Sequence, residues 1–205
     1  FINTYKHTSA NCGKNLERYK ILQQRIQEAG KAGPTFTGGG FNARIQNKEG
    51  QQDKRIIGPN TFDKHNARTR EYTGEEGHPD NRTQLIAMCA EKDQIICNTW
   101  YEKPEHKKLT FRHMSTQHGP PWTRRNGYET LDYILTPQRW KNTVKDVETD
   151  KDANIKSDHI PLVAKIVIKL KAELKDTSSA YRDQIKDLER EIKDLIHEDL
   201  ENEES

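Results

Sequence analysis

The chain has 205 residues, of which 31% are hydrophobic and 32% charged, with a formal net charge of +2. That length allows one domain with a real core and an appendage, but the core must be economical. The best apolar run, Ile160 to Ile168, is short and broken by Lys165, so no membrane span and no membrane partner are expected.

The charge is unevenly distributed. Residues 176–205 hold 11 acidic and 4 basic groups, a net of −7, and the rest of the chain carries +9. A basic body with an acidic tail suits a polyanion such as nucleic acid, against the plainer reading of charged, solvated surface. Cys12, Cys89 and Cys97 are odd in number and lack metal-ligand spacing. They read as reduced thiols of a nuclear or cytoplasmic protein, not a secreted one. The chain opens on Phe1, inside the strand-like "FINTY", which reads as the start of a fragment or trimmed chain.

In chain order, residues 1–5 form the first expected strand. Leu16, Tyr19, Leu22 and Ile26 recur at three- and four-residue spacing, which predicts an amphipathic helix over Asn15 to Ala29, stopped by Gly30 and Gly33-Pro34. A strand at 35–38 then leads into a loop containing Gly38, Gly39 and Gly40. Residues 46–80 are polar and aperiodic and read as a long loop. Asn81 is placed to cap a helix through about Glu91, with Leu85, Ile86 and Cys89 inward. "QIICNTWY" and "KLTFR" (108–112) predict strands, residues 115–127 a loop, and "TLDYIL", "NTVKDVE" and "IPLVAKIVIKL" three more strands. This order predicts an α/β or α+β domain on a largely antiparallel sheet. Beyond it, Tyr181, Ile185, Leu188, Ile192 and Leu195 follow 4-3-4-3 spacing. That predicts an amphipathic helix, with self-association through residues 181–195 as the second reading.

Two segments carry chemistry. Asp132 lies within the apolar "LDYIL", and a carboxylate among apolar side chains needs a partner. Asp158-His159, just before the last strand, supplies one: a carboxylate that fixes an imidazole's tautomer raises its basicity and makes it a better general base. The plainer alternative is that Asp132 caps a turn and His159 satisfies a backbone group.

Taken in order, "INTY", "TGGGFNAR", "LTFRHMS", "LDYIL" and "SDHIPL" resemble the endonuclease/exonuclease/phosphatase superfamily. The likeness is strongest to apurinic-type endonuclease domains of non-LTR (LINE-type) retrotransposons, and it covers roughly residues 1–170. The resemblance implies a four-layer α/β sandwich, two packed mixed sheets flanked by helices, here lacking its N-terminal part, followed by a charged acidic tail over residues 171–205. It implies Mg²⁺-dependent phosphodiester hydrolysis on DNA, with Mn²⁺ as a substitute ion. By position, Asn42 would hold the scissile phosphate and Tyr5 would contact it. Asp132 would orient His159, which would act on the water or the phosphate. Asp158 would lie at the metal, and Arg44, Thr110 and Phe111 would bind substrate.

The chain departs from the family pattern at Gly40, where the family's water-orienting aspartate falls. The family's metal-binding glutamate lies upstream of the segment resembling "FINTY". Three functions follow: a retroelement endonuclease with weak or lost activity, a non-catalytic nucleic-acid-binding module, or a phosphatase or lipid phosphodiesterase of the same superfamily.

Overall fold

The computed structural model describes residues 1–7, 12–45, 50–51, 53–64, 79–153, 155–169, 186–187 and 190. The chain divides into two units, Phe1–Val167 and Ile168–Ser205. In the second, Lys186, Asp187 and Arg190 are helical. The remainder of the expected 181–195 seam lies outside the described residues.

The first unit is a mixed α/β structure of several sheets flanked by helices. Its elements are β1 (Ile2–Tyr5), α1 (Cys12–Ala32), β2 (Thr37–Gly40), α2 (Asp53–Ile56), α3 (Asn81–Glu91), β3 (Gln94–Ile96), β4 (Phe111–Arg112), β5 (Tyr128–Glu129), β6 (Asp132–Pro137), β7 (Val144–Thr149) and β8 (Leu162–Ile166). The largest sheet has the order β1-β2-β6-β3; β4 pairs with β5, and β7 with β8. β1 runs parallel to β2, and β6 is antiparallel to both β2 and β3.

The two faces of the large sheet bury different sets. Tyr19, Leu22 and Ile26 of α1 and Leu85, Ile86, Met88 and Cys89 of α3 pack with Tyr133 and Leu135 of β6. On the other face Ile134 meets Phe36, Ile95, Val144 and Val147, and Leu162, Ala164 and Ile166 of β8 join them. Strand alternation therefore puts Asp132 on the same face as Ile134, toward the β7–β8 ribbon.

Several expected boundaries move for identifiable reasons. The glycines are not a loop: they are β2 itself, a central strand. A Cβ on Gly39 would sit 1.8 Å from the Thr4 carbonyl oxygen, and its φ is +147°. Only glycine lets β1 approach so closely there. α1 runs through Gly30 to Ala32, and Leu16 is 43% exposed, so the buried stripe starts at Asn15 and Tyr19 instead. The cap of α3 is Asp80, whose side chain accepts the Thr83 N–H, while Asn81 is buried inside the first turn. The long loop expected over residues 46–80 contains α2 and the buried Ile56, Ile57 and Phe62. "QIICNTWY" keeps only Gln94–Ile96 as strand before a 3₁₀ turn over Cys97–Trp100. The last strand is likewise shorter, ending at Ile166. Cys89 and Cys97 are buried free thiols, as expected of reduced cysteines. Among the described residues no helix is long and apolar enough to cross a membrane.

Candidate active site

The site forms where β1, β2 and β6 end together. Tyr5 lies opposite Gly40 in the parallel ladder, and Gly40 lies opposite Asp132 in the antiparallel one. Three residues far apart in sequence thus form one row. A Cβ built on Gly40 would be 3.1 Å from Tyr5 Cδ2 and 3.3 Å from Asp132 Oδ1, which measures how tightly the row closes.

Asp132 is anchored through its main chain. Thr110 Oγ1 accepts the N–H groups of Leu131 (2.9 Å) and Asp132 (3.1 Å). Asn98 donates its Nδ2–H to the Asp132 carbonyl at 3.0 Å and accepts the Ile134 N–H at 2.9 Å. These bonds fix the start of β6, which leaves the carboxylate to be positioned by side-chain partners alone.

His159 comes from a different segment, held by main-chain pairing. Residues 158–160 lie against residues 110–112: Arg112 donates its N–H to Asp158 O (2.9 Å), and Ile160 donates to Thr110 O (2.7 Å). Phe111 packs edge-on against the imidazole with centroids 5.1 Å apart. The ring then reaches Asp132, with Nδ1 2.9 Å from Oδ2. A carboxylate accepts only, so Nδ1 carries the proton. Nε2 is then the acceptor of the neutral ring. The Asp132 hydrogen bond, opposed by burial and reinforced by the charges of Asp132 and Asp158, holds the His159 pKa above its ordinary value. With side-chain exposures of 38% for His159 and 20% for Asp132, the pair is reachable from solvent but partly desolvated.

The other expected site residues divide. Tyr5 is 57% exposed beside Gly40, able to contact a ligand there. Asn42 adopts a left-handed φ of 48° and spends one amide N–H on the Lys6 carbonyl at 2.7 Å. Phe111 is half-buried on the rim against His159. Thr110 is turned inward: it is fully buried, with its Oγ1 on the Leu131 and Asp132 N–H groups, so it positions Asp132. Arg44 is also redirected, because its guanidinium pairs with the buried Glu129, Nε to Oε2 at 2.6 Å. A planar fork held by a carboxylate is a structural tie.

The positioning residues Asn98, Glu129, Asn15 and Asn81 were not expected. Asn15 donates to Asn81 Oδ1 (2.8 Å), and Asn81 donates to the carbonyls of His7 (2.8 Å) and Asn42 (3.1 Å). Buried amides satisfying loop carbonyls leave little sequence signal, although an asparagine inside an otherwise apolar helix face, as at Asn15, is one.

The resemblance implies a divalent cation. Hard cations take oxygen ligands. Asp158 is exposed and accepts Ser157 Oγ at 3.4 Å, while Asp132 is committed to His159 and position 40 offers no carboxylate. Among the described residues no group of three or more His, Cys, Asp or Glu side chains converges to hold a metal. The described residues do not by themselves make such a site. His159 also lines a cavity of about 310 Å³ with Arg112, His118, Trp122, Lys151 and Asp158.

No protein-family model matches the chain. Over 170 residues, 80% of its length, it is 27% identical to craniofacial development protein 2 of Tragulus javanicus, and equally to that of Bos taurus. That match takes in 24% of those proteins, so the chain spans about a quarter of the curated relatives it matches. Among solved structures it is similar to the 3′-5′ exonuclease NExo from Neisseria meningitidis, with a TM-score of 0.48 and 17% identity over 81% of this chain and 60% of that one. It is likewise similar to the 3′ phosphatase NExo from Neisseria bound to product DNA hairpin, with a TM-score of 0.47, 17% identity and the same coverages.

Proposed function

We propose that this chain is a DNA-directed phosphodiester hydrolase of the retrotransposon endonuclease type, with weak activity. The observation that carries the reading is the Asp132–His159 hydrogen bond at the strand row of Tyr5, Gly40 and Asp132. In that arrangement Asp132 fixes the Nδ1–H tautomer, so His159 Nε2 takes a proton from a water attacking a phosphodiester. Tyr5 lies open beside the row to hold the substrate. The ordered motifs and the +9 charge of residues 1–175 support nucleic acid as the substrate.

A second reading, a non-catalytic DNA-binding module of the same ancestry, is favoured by one specific feature. Position 40 has no carboxylate to orient the water, and acid–base assistance of that kind is typically worth about 10²–10⁴-fold.

Nicking of supercoiled plasmid in Mg²⁺ or Mn²⁺ separates the two. The hydrolase reading expects slow nicking that His159→Ala lowers by about 10²-fold or more. Binding without nicking supports the module. Nicking that His159→Ala leaves unchanged refutes the site, and binding indifferent to salt refutes DNA as the ligand in either reading.

A further inference from the structure

We propose that Asn81 is a positioning residue for Asn42: it takes the Asn42 carbonyl, keeps that residue's backbone left-handed and so aims its side chain into the cleft. The ligand met there rests on the function proposed above, whereas the backbone geometry does not depend on it. β1 and β2 end side by side, with Tyr5 opposite Gly40. The Lys6 N–H still reaches the Gly40 carbonyl at 2.7 Å, and there the pairing stops. Asn42 follows at a φ of 48°. A residue with a side chain enters that region at a cost, asparagine at less than most, and stays where its neighbours over-determine it. Two contacts do so here: Asn42 Nδ2 donates to the Lys6 carbonyl at 2.7 Å, and the Asn42 carbonyl accepts from Asn81 Nδ2 at 3.1 Å.

Asn81 joins the two strand ends. An asparagine amide can donate twice, and Asn81 gives one bond to His7 O at 2.8 Å, after β1, and one to Asn42 O, after β2. Its own oxygen accepts from Asn15 Nδ2 at 2.8 Å. Asn15 in turn accepts the His7 N–H at 2.8 Å and donates to His7 O at 3.0 Å. Both amides are buried, Asn15 0% and Asn81 1% exposed, so leaving any of these groups unpaired is costly. They stand in the first turns of α1 and α3, whose Tyr19, Leu22, Leu85 and Met88 pack in the main core. The peptide of Asn42 is therefore registered to two packed helices.

Among the described residues the Asn42 side chain makes only the bond to Lys6 O. It keeps one N–H to give a phosphate oxygen and an oxygen to accept from water. With its carbonyl released, the peptide would relax toward ordinary φ and carry these groups away. An amide pair that merely joined two helices would leave Asn42 indifferent to its loss.

The test is NMR of the ¹⁵N-labelled full chain as parent, Asn81→Ala and Met88→Ala. Met88→Ala is the control, since it loosens α3 from the core without touching the amides. The coupling between the Asn42 amide and α protons, which reports φ, should change in Asn81→Ala and hold in Met88→Ala. In titrations with a short DNA duplex at fixed salt, Asn81→Ala should weaken binding about fivefold. Asn42→Gly, which takes the left-handed φ freely, should do the same, and the double variant should lose no more than either alone. An unmoved coupling, an equal change in Met88→Ala, or additive losses in the double variant overturns the proposal. A parent that binds no duplex refutes DNA as the ligand instead, and the coupling still decides the role of Asn81. If Asn81→Ala fails to fold, the parent decides. Its Asn81 side-chain N–H protons should exchange with solvent as slowly as the α3 backbone amides, and fast exchange overturns the proposal.

Discussion

Placing an aspartate at position 40 tests the geometry of the site directly. A Cβ there lies 3.3 Å from Asp132 Oδ1 and 3.1 Å from the Tyr5 ring. The new carboxylate would therefore sit roughly 5 Å from that of Asp132, and two unit charges at that distance repel by about 3 kcal/mol at an effective dielectric of about 20. Because the Asp132 side chain is 20% exposed, solvent screening reduces this to about 2 kcal/mol. Gly40→Asn is the control for shape, since it adds the same atoms without the charge. The aspartate's folded pKa should rise above its unfolded value of about 3.9, and the sign follows from that. Between those two values the folded state holds more protons, so the Asp variant loses stability relative to the Asn variant as pH rises. The penalty should be fullest above the raised pKa of His159, once the imidazolium no longer offsets it. Urea unfolding at about pH 4 and about pH 8 should show the two variants alike in acid and separated by about 2 kcal/mol in base. Equal stability in base, or a more stable Asp variant, would refute the row of Tyr5, Gly40 and Asp132.

His159 should titrate above about 6.5 by NMR, and Asp132→Asn should bring it down. Its stabilising contribution is fully present below the unfolded pKa and lost as pH rises through the folded one, so a parent chain whose stability ignores pH across that window would contradict the pairing. Gly39→Ala should cost more than about 4 kcal/mol, or prevent folding, whereas Gly38→Ala, with nothing within 4 Å of its Cβ, should cost under about 1 kcal/mol; similar urea midpoints for the two would show that β1 does not approach β2 as described.

What the sequence disclosed, and what it hid, differ in physical kind. The Asp132–His159 pair was legible because a carboxylate among Leu131, Tyr133 and Ile134 is costly without a partner, and that cost shows in residue type alone. Strands β6 and β8 were legible for a similar reason, since Tyr133 and Leu135 of β6, and Leu162, Ala164 and Ile166 of β8, are the more buried side chains in alternation. Of β2 only the start was, within the strand expected at 35–38, because three glycines have no side chains to alternate; the close approach of Thr4 that makes Gly39 a strand residue is a tertiary fact. β4 and β5 have two residues each, too few for any period. Thr110 and Arg44 were legible as polar residues near the site but not in their direction, which their bonds to the β6 main chain and to Glu129 decide.

The main-chain attachment of His159 bears on how such a site ages. Residues 158–160 are bound to residues 110–112 by peptide groups, and Asp132 is moored through the peptide bonds flanking it. Neither attachment depends on the reactive atoms. The pocket's form and its reactivity are thus separately inherited, so substitutions can silence the chemistry while leaving a cleft of unchanged outline. A lineage that no longer needs to cut could keep that outline under selection for binding alone, and a single side chain could restore reactivity to it without any refolding.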